Sequence, residues 1–90
     1  MSSLPPGLVV LSREGCGLCH EMLEALADLE RDGTIPAIRI VDVDSDPELQ
    51  RQFGLKVPVL LVDGSVVCHY TLNSKELLRL VARSPAIIAR

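Results

Sequence analysis

Aromatic residues are almost absent from this sequence. Trp is missing, and Phe53 and Tyr70 are the only Phe and Tyr among 90 residues. A hydrophobic content of 48% still argues against disorder, so the core has to be built from Leu, Val, Ile and Ala. This length suits one domain with a modest core. We expect a single domain over residues 1–90, with its core at about residues 8–83.

Excess positive charge and long apolar runs are also missing. The formal net charge is -3 and the pI is near 5.2, whereas nucleic-acid binding needs clustered Lys and Arg. No run approaches the roughly 18 apolar residues of a membrane helix. Residues 1–7 lack the positive region and the apolar stretch of about 7 to 15 residues that a secretory signal needs. We therefore expect a cytoplasmic, soluble monomer that binds neither nucleic acid nor membranes.

Cysteines are few and odd in number, which argues against a framework of structural disulfides. The reducing cytosol does not preserve such disulfides either. Two of the three cysteines, Cys16 and Cys19, have C-x-x-C spacing. We expect this pair to be reactive or metal-bound.

The cysteine pair lies where a strand pattern changes to a helix pattern. Residues 8–11 form a short apolar run, typical of a strand that is covered on both faces. From about Gly17 to Arg31, apolar residues recur at helical spacing, namely Leu18, Met22, Leu26 and Leu29. Cys19 falls within the apolar arc of this helix. We expect Cys19 to face inward and Cys16 to lie at the exposed lip.

The next elements are a strand and a short helix. Gly33 is expected to end the first helix, and residues 37–41 have the pattern of a second strand, parallel to the first. A Ser or Asp at positions 45–46 then caps a short helix with Pro47 in its first turn. Gly54 is expected to close this helix.

A hairpin and a last helix follow. The β-rich runs at 59–62 and 65–70 are separated by Asp63-Gly64, which favours a type I′ turn. A capping pattern at 73–76 begins a helix that ends before a Ser-Pro pair. One side of that helix is apolar, formed by Leu77, Leu78, Leu80 and Val81. The predicted order is βαβαββα, an α/β fold.

This order, with C-x-x-C at the first β-to-α junction and Val-Pro before the third strand, resembles the thioredoxin fold and, within it, the glutaredoxins. The chain is similar to a bacterial group of small uncharacterised glutaredoxin-like proteins with a Ser-Arg-x-Gly-Cys-x-Leu-Cys start. The resemblance covers Leu8 to about Arg83. Its motifs are Cys16-Gly17-Leu18-Cys19, Val57-Pro58 and Asp63-Gly64. It implies a four-stranded mixed sheet flanked by three helices.

The resemblance implies a thiol–disulfide oxidoreductase that reduces protein or glutathione mixed disulfides. A thiol attacks only as its thiolate, and free cysteine has a pKa of about 8.5. The helix dipole and unpaired backbone N–H groups favour the thiolate of Cys16. We expect Cys16 to attack the substrate and Cys19 to resolve the mixed disulfide. Arg13 is a candidate to add positive charge and to bind substrate.

Four more residues complete the expected substrate site. Gly17 and Leu18 differ from the Pro-Tyr of many glutaredoxins and from the Gly-Pro of thioredoxins, so neither family's redox potential transfers. In the resembled families the Pro equivalent to Pro58 is cis, and the residue before it, here Val57, offers backbone hydrogen bonds to peptide or glutathione. We expect Pro58 to be cis and beside Cys16.

Glutathione is a possible co-substrate, and we expect no other cofactor and no bound metal. Glutaredoxins usually carry Gly-Gly and a following Asp near the last helix, but residues 68–74 contain neither. Asn73 or Ser74 at the helix N-terminus is a candidate to bind a carboxylate instead. The expected partner is either a disulfide-bearing protein or glutathione.

Other interpretations attach to the histidines and the third cysteine. His20 completes the Cys-x-x-Cys-His motif of c-type haem, but the βαβ context and the missing export signal oppose haem. We expect His20 to be a solvent-side residue on the first helix, and tuning of Cys16 is the alternative role. Cys68 and His69 could join Cys16 and Cys19 around zinc or an iron–sulfur cluster. Strand alternation places Cys68 and His69 on opposite faces of the sheet, however, so both cannot point at one metal. We expect Cys68 to be a small buried core residue.

The acidic run at 42–46 fails as a calcium loop, because position six is Pro47 rather than Gly and position twelve is Phe53 rather than Glu. It is interpreted as a solvated strand end and a helix cap. A second functional hypothesis remains open: a non-enzymatic thioredoxin-fold module that holds a metal, an iron–sulfur cluster or a partner. A cluster bridging two chains through Cys16 belongs to this class.

Overall fold

The computed structural model describes residues 4–83. The elements follow the order βαβαββα, with a 3₁₀ turn added after the second strand. They are β1 Leu8–Ser12, α1 Gly17–Arg31, β2 Ile38–Asp42, the 3₁₀ turn Val43–Ser45, α2 Pro47–Phe53, β3 Val59–Val62, β4 Ser65–His69 and α3 Ser74–Arg83. The Ser-Pro pair predicted to follow the last helix lies outside the described residues, as do residues 1–3.

The four strands form one mixed sheet in the order β2-β1-β3-β4. β1 is parallel to β2 and antiparallel to β3, and β3 is antiparallel to β4. In the middle of the sheet, Val10 lies opposite both Ile40 and Leu60. All of β3 and most of β1 are buried, because the two central strands are covered on both faces. The thioredoxin-like α/β fold implied by the sequence is confirmed.

Side chains of the central strands alternate between two hydrophobic clusters on opposite faces of the sheet. The first cluster lies under α1 and α3 and contains Leu8, Val10, Met22, Leu26, Ile35, Leu60, Val62, Leu77 and Val81. The second lies against α2 and contains Val9, Leu11, Val43, Leu49, Val59 and Leu61. Both clusters are aliphatic, as the shortage of aromatic residues predicts. Phe53 packs only at the margin of the second cluster.

The first helix has the predicted bounds, and Gly33 follows its last turn as predicted. Cys16 is its N-cap. At the other end, Gly33 has φ +78° and its N–H bonds to the carbonyl of Glu30, while the N–H of Thr34 bonds to the carbonyl of Leu29. These two bonds form a Schellman motif, which satisfies carbonyls that the last turn leaves unpaired.

Four local predictions need correction. The second strand, β2, runs from residue 38 to 42 rather than from 37 to 41. Asp46 rather than Ser45 caps α2, because Ser45 is taken up in the 3₁₀ turn. Leu78 is 38% exposed, since only Leu77 and Val81, four residues apart, face the core fully. β4 ends one residue earlier than predicted, because Tyr70 adopts φ +71° and leaves the extended conformation.

The hairpin turn agrees with the prediction, whereas the strand after it carries an irregularity. Asp63 and Gly64 have φ of 50° and 85°, as a type I′ turn requires. β4 then has an extra residue, Val67, so that Val67 and Cys68 both pack against the first cluster. His69 is exposed, so Cys68 and His69 still have different surroundings. Within residues 4–83, no helix is long and apolar enough to span a membrane.

Gly33→Ala should lower the free energy of unfolding by about 1 to 2 kcal/mol, because a side chain at positive φ is strained. Gly17→Ala is the matched control at the other end of α1. A Cβ meets open space at both positions, but only Gly33 has positive φ, so the control should be neutral or stabilising by less than about 1 kcal/mol. Urea denaturation measures both variants; equal losses would contradict the role of φ.

Candidate active site

Loops at one edge of the sheet, here called the site edge, bring the predicted site residues together. β1, β2 and β4 end at this edge and β3 begins there. Cys16 follows β1 and Pro58 precedes β3, so the two residues lie beside adjacent strands, which are about 4.8 Å apart. Asp44 follows β2 on one side of them, and Tyr70 follows β4 on the other.

Cys16 lies between a tight turn and the first helix. Gly15 has φ +81°, and the N–H of Cys16 bonds to the carbonyl of Arg13 at 3.2 Å, which is the pattern of a type II turn. Cys16 is half-buried, and its sulfur accepts the backbone N–H of Cys19 at 3.2 Å. The first turn of α1 has no acidic residue. The helix N-terminus is therefore free to stabilise negative charge on this sulfur.

Cys19 is 1% exposed, so it faces inward as predicted. Its burial raises the pKa of the thiol, and the hydrogen bond with Cys16 acts in the same direction. The backbone of Arg13 and the side chain of Ser12 oppose this rise in pKa. The two cysteines thus have distinct environments: Cys16 is half-buried at a helix N-terminus, and Cys19 is fully buried in the first turn of that helix.

The Val57-Pro58 peptide bond is cis, which confirms that prediction. Pro58 is buried, and its carbonyl accepts the N–H of Tyr70 at 2.9 Å. The half-buried side chain of Val57 packs against the second cluster. Its backbone N–H and C=O make no hydrogen bond with any described residue. One backbone donor and one acceptor therefore remain available beside the cis proline, where the resemblance places substrate hydrogen bonds.

Arg13 is engaged within the protein. Its Nε and Nη2 donate to the two carboxylate oxygens of Asp44 at 2.8 and 2.9 Å, and its Nη1 donates to the carbonyl of Gly54 at 2.7 Å. The hydrogen bond with Asp44 raises the pKa of Arg13, and the same bond lowers the pKa of Asp44. The positive charge expected to serve Cys16 is thus compensated by a carboxylate, and substrate binding by Arg13 stays a prediction.

The two residues between the cysteines are exposed at the site edge. Gly17 is the first residue of α1, and Leu18 is 42% exposed. Helical spacing grouped Leu18 with Met22 and Leu26, but only Met22 and Leu26 belong to the first hydrophobic cluster, and Leu18 lies outside it. Leu18 is therefore available to contact a substrate bound to Cys16.

His20 and Cys68 lie outside the pair. The His20 side chain is exposed, with its Nε2 3.2 Å from a carboxylate oxygen of Glu24, one turn further along the helix. Cys68 is half-buried rather than fully buried, and its sulfur accepts the N–H of Asn73 at 3.4 Å. Partial burial raises the pKa of the Cys68 thiol. Across residues 4–83, no three His, Cys, Asp or Glu side chains converge to form a metal site.

Sequence reasoning missed the roles of two residues at the site edge. Asp44 was assigned to a solvated acidic run. Because β2 is parallel to β1, however, the residues that follow the two strands lie close together, and Asp44 is therefore near Arg13. Tyr70 gave no signal, because a bulky residue seldom adopts positive φ. Its hydroxyl donates to the carbonyl of Leu55 at 3.2 Å, and its ring meets His69 edge-on at 4.8 Å.

Alkylation of the reduced protein with iodoacetamide at pH 7 should modify Cys16 before either other cysteine. Burial raises the pKa of both Cys19 and Cys68, so these thiols stay protonated at neutral pH and react slowly. Peptide mass spectrometry over a time course measures the order. Labelling of Cys19 or Cys68 as fast as Cys16 would contradict the assigned environments.

Asp44→Asn should destabilise the protein at neutral pH but not in strong acid. Because Arg13 lowers the pKa of Asp44 in the folded state, the ionised carboxylate contributes stability above its unfolded pKa of about 3.9. That contribution is lost as the pH falls through the lower folded pKa. Urea denaturation at several pH values measures the free energy of unfolding of both proteins. The difference between them should be constant above about pH 5 and should shrink below about pH 4. A pH-independent difference would contradict the ion pair.

The chain matches a known family and uncharacterised relatives. The family model described as Glutaredoxin-like domain (DUF836) matches residues 7–82. Uncharacterized protein Rv0508 of Mycobacterium tuberculosis strain H37Rv is 32% identical over 84 residues, covering 88% of this chain and 86% of that protein. Uncharacterized protein Mb0520 of Mycobacterium bovis gives the same values.

Solved structures show the same architecture. The solution structure of protein Ne2328 from Nitrosomonas europaea has a TM-score of 0.72 and 31% identity, covering 89% of this chain and 96% of that one. The X-ray structure of protein XcR50 from X. campestris has a TM-score of 0.67 and 28% identity, covering 88% and 100%. The family match spans most of the sequence and includes both cysteines of the pair and Pro58; the chain therefore belongs to the glutaredoxin-like domain family.

Proposed function

We propose that the protein is a thiol–disulfide oxidoreductase of glutaredoxin type that reduces protein or glutathione mixed disulfides. One observation carries this proposal: the unequal environments of the two cysteines. The Cys16 sulfur is accessible at a helix N-terminus and already accepts the N–H of Cys19, whereas the Cys19 thiol is buried with a raised pKa. A nucleophile and a resolving thiol need this difference.

The reaction proceeds in two exchanges. The Cys16 thiolate attacks one sulfur of the substrate disulfide, the substrate S–S bond breaks, and the released thiolate takes up a proton. Cys19 then loses its proton and attacks Cys16, which forms the Cys16–Cys19 disulfide and releases the second substrate thiol. Two electrons pass from the protein dithiol to the substrate, and an external thiol reductant restores the dithiol.

The site edge offers backbone and apolar contacts to the substrate. The unpaired N–H and C=O of Val57 can bind an extended backbone in the manner of an added strand. Leu18 and Leu55 are 42% and 93% exposed, and Lys56 makes no ion pair with a described residue. These features suit a peptide segment around a disulfide, and a single Lys beside the site suits one carboxylate of glutathione.

Cys16→Ser should abolish reduction of a model disulfide, measured with insulin and with hydroxyethyl disulfide plus glutathione. Cys19→Ser should stop at a mixed disulfide on Cys16, detectable by mass spectrometry. Cys68→Ser is the matched control and should retain activity within about twofold, because its sulfur lies outside the pair. Full activity of Cys16→Ser would favour a non-enzymatic binding module instead.

The adduct trapped on Cys19→Ser identifies the substrate class. Recovery of glutathione alone from cell extract would exclude protein disulfides as substrates, and recovery of proteins alone would exclude glutathione. The covalent trap reports chemistry at Cys16, so weak non-covalent binding does not contribute.

A further inference from the structure

The side chain of Arg13 joins three segments at the site edge. Its guanidinium binds Asp44 through two hydrogen bonds, and Asp44 is held in turn by the side-chain amide of Gln50 at 2.9 Å. The third hydrogen bond goes to the carbonyl of Gly54. The 3₁₀ turn after β2, the end of α2 and the loop before Cys16 are thereby fixed to one planar group.

The backbone of the same residue is linked to both cysteines. The carbonyl of Arg13 accepts the N–H of Cys16 at 3.2 Å, and the sulfur of Cys16 accepts the N–H of Cys19 at 3.2 Å. A shift of Arg13 therefore moves the attacking cysteine relative to the resolving cysteine. Gly54 lies four residues before Pro58, so the second wall of the site is connected to the same guanidinium.

We infer that Arg13 is a positioning residue: clamped by Asp44 and Gly54, it holds Cys16 and Cys19 in the geometry that the resolving attack requires. The inference rests on the proposed function. It assigns Arg13 to the second exchange, in which Cys19 attacks Cys16 inside the protein, rather than to activation of Cys16 or to binding a substrate carboxylate.

The shape of the contact favours positioning over charge. Arg presents a rigid fork that matches a carboxylate through two parallel hydrogen bonds, whereas Lys is a flexible point charge. Here the fork takes both oxygens of Asp44, and the remaining Nη1 reaches a backbone carbonyl. A Cβ at position 54 would lie 2.4 Å from the Gln50 carbonyl and 3.4 Å from Nη2 of Arg13. Glycine is thus required where the clamp meets α2.

The test follows the two exchanges separately with 2,2′-dithiodipyridine in a Cys68→Ala background. The Cys16 thiolate attacks the reagent, forms a mixed disulfide and releases one thiopyridone in a second-order phase. Cys19 then displaces the other thiopyridone in a first-order phase. Two electrons leave the dithiol and two thiopyridones form, so absorbance reports both steps without a natural substrate.

Arg13→Lys, Arg13→Gln and Asp44→Asn should each slow the first-order phase by about 10- to 100-fold, the effect of a misplacement of about 1 Å. The second-order phase should stay within about threefold, and its pH midpoint should not move in Arg13→Lys or Asp44→Asn. If charge is what matters, the opposite pattern appears. Arg13→Lys then behaves as the parent, Arg13→Gln raises the midpoint, and Asp44→Asn lowers it by freeing the Arg13 charge. That pattern would overturn the inference.

Arg79→Lys is the matched control, because Arg79 also pairs with a carboxylate through two oxygens, on α3, and should leave both phases unchanged. Melting temperatures are compared for all variants. If an Arg13 variant fails to fold, the rates of the two phases in Asp44→Asn, which keeps the side-chain shape, decide the test. A parent protein without a first-order phase would refute the proposed function itself. A parent with that phase, unchanged in Arg13→Lys and Asp44→Asn, would refute only the positioning role.

Discussion

The pairing of β1 with a neighbour on each side is the constraint on which the rest of the structure depends. β1 lies between β2 and β3, and its residues Leu8 to Leu11 are buried on both faces. Because β1 is parallel to β2 and antiparallel to β3, the ends of β1 and β2 and the start of β3 lie at one edge of the sheet. Because β1 ends there in a turn that becomes a helix, a cysteine one helical position before α1 has to lie beside the start of β3.

Burial at that edge gives two chemically identical side chains different environments. Cys16 is the N-cap of α1, and its sulfur accepts a backbone N–H of the first turn. Cys19, three residues later, is buried in the protein. The helix places the Cys16 sulfur at its N-terminus and buries the Cys19 sulfur, and this burial raises the pKa of the Cys19 thiol. The difference in environment between the two cysteines is thus a consequence of helical geometry.

The order and type of the elements could be predicted almost completely from periodicity and turn chemistry, and the mixed sheet from the family resemblance, whereas the site could be predicted only in part. The two central strands, the Asp63-Gly64 turn and the ends of α1 each have a local sequence signal. The pairing of Arg13 with Asp44 has no local sequence signal, because the pairing depends on which loops the sheet brings together. Tyr70 is similar: only the finished structure shows its hydrogen bond to Pro58.

We propose that Cys16 and Cys19 form a reversible redox pair. Equilibrating the protein in buffers of reduced and oxidised glutathione, and quantifying each cysteine by mass spectrometry, tests it most directly. We predict one two-electron transition in which the Cys16–Cys19 disulfide appears and disappears while Cys68 stays a thiol. Cysteines that remain thiols in excess oxidised glutathione, or a disulfide that includes Cys68, would contradict a Cys16–Cys19 redox pair.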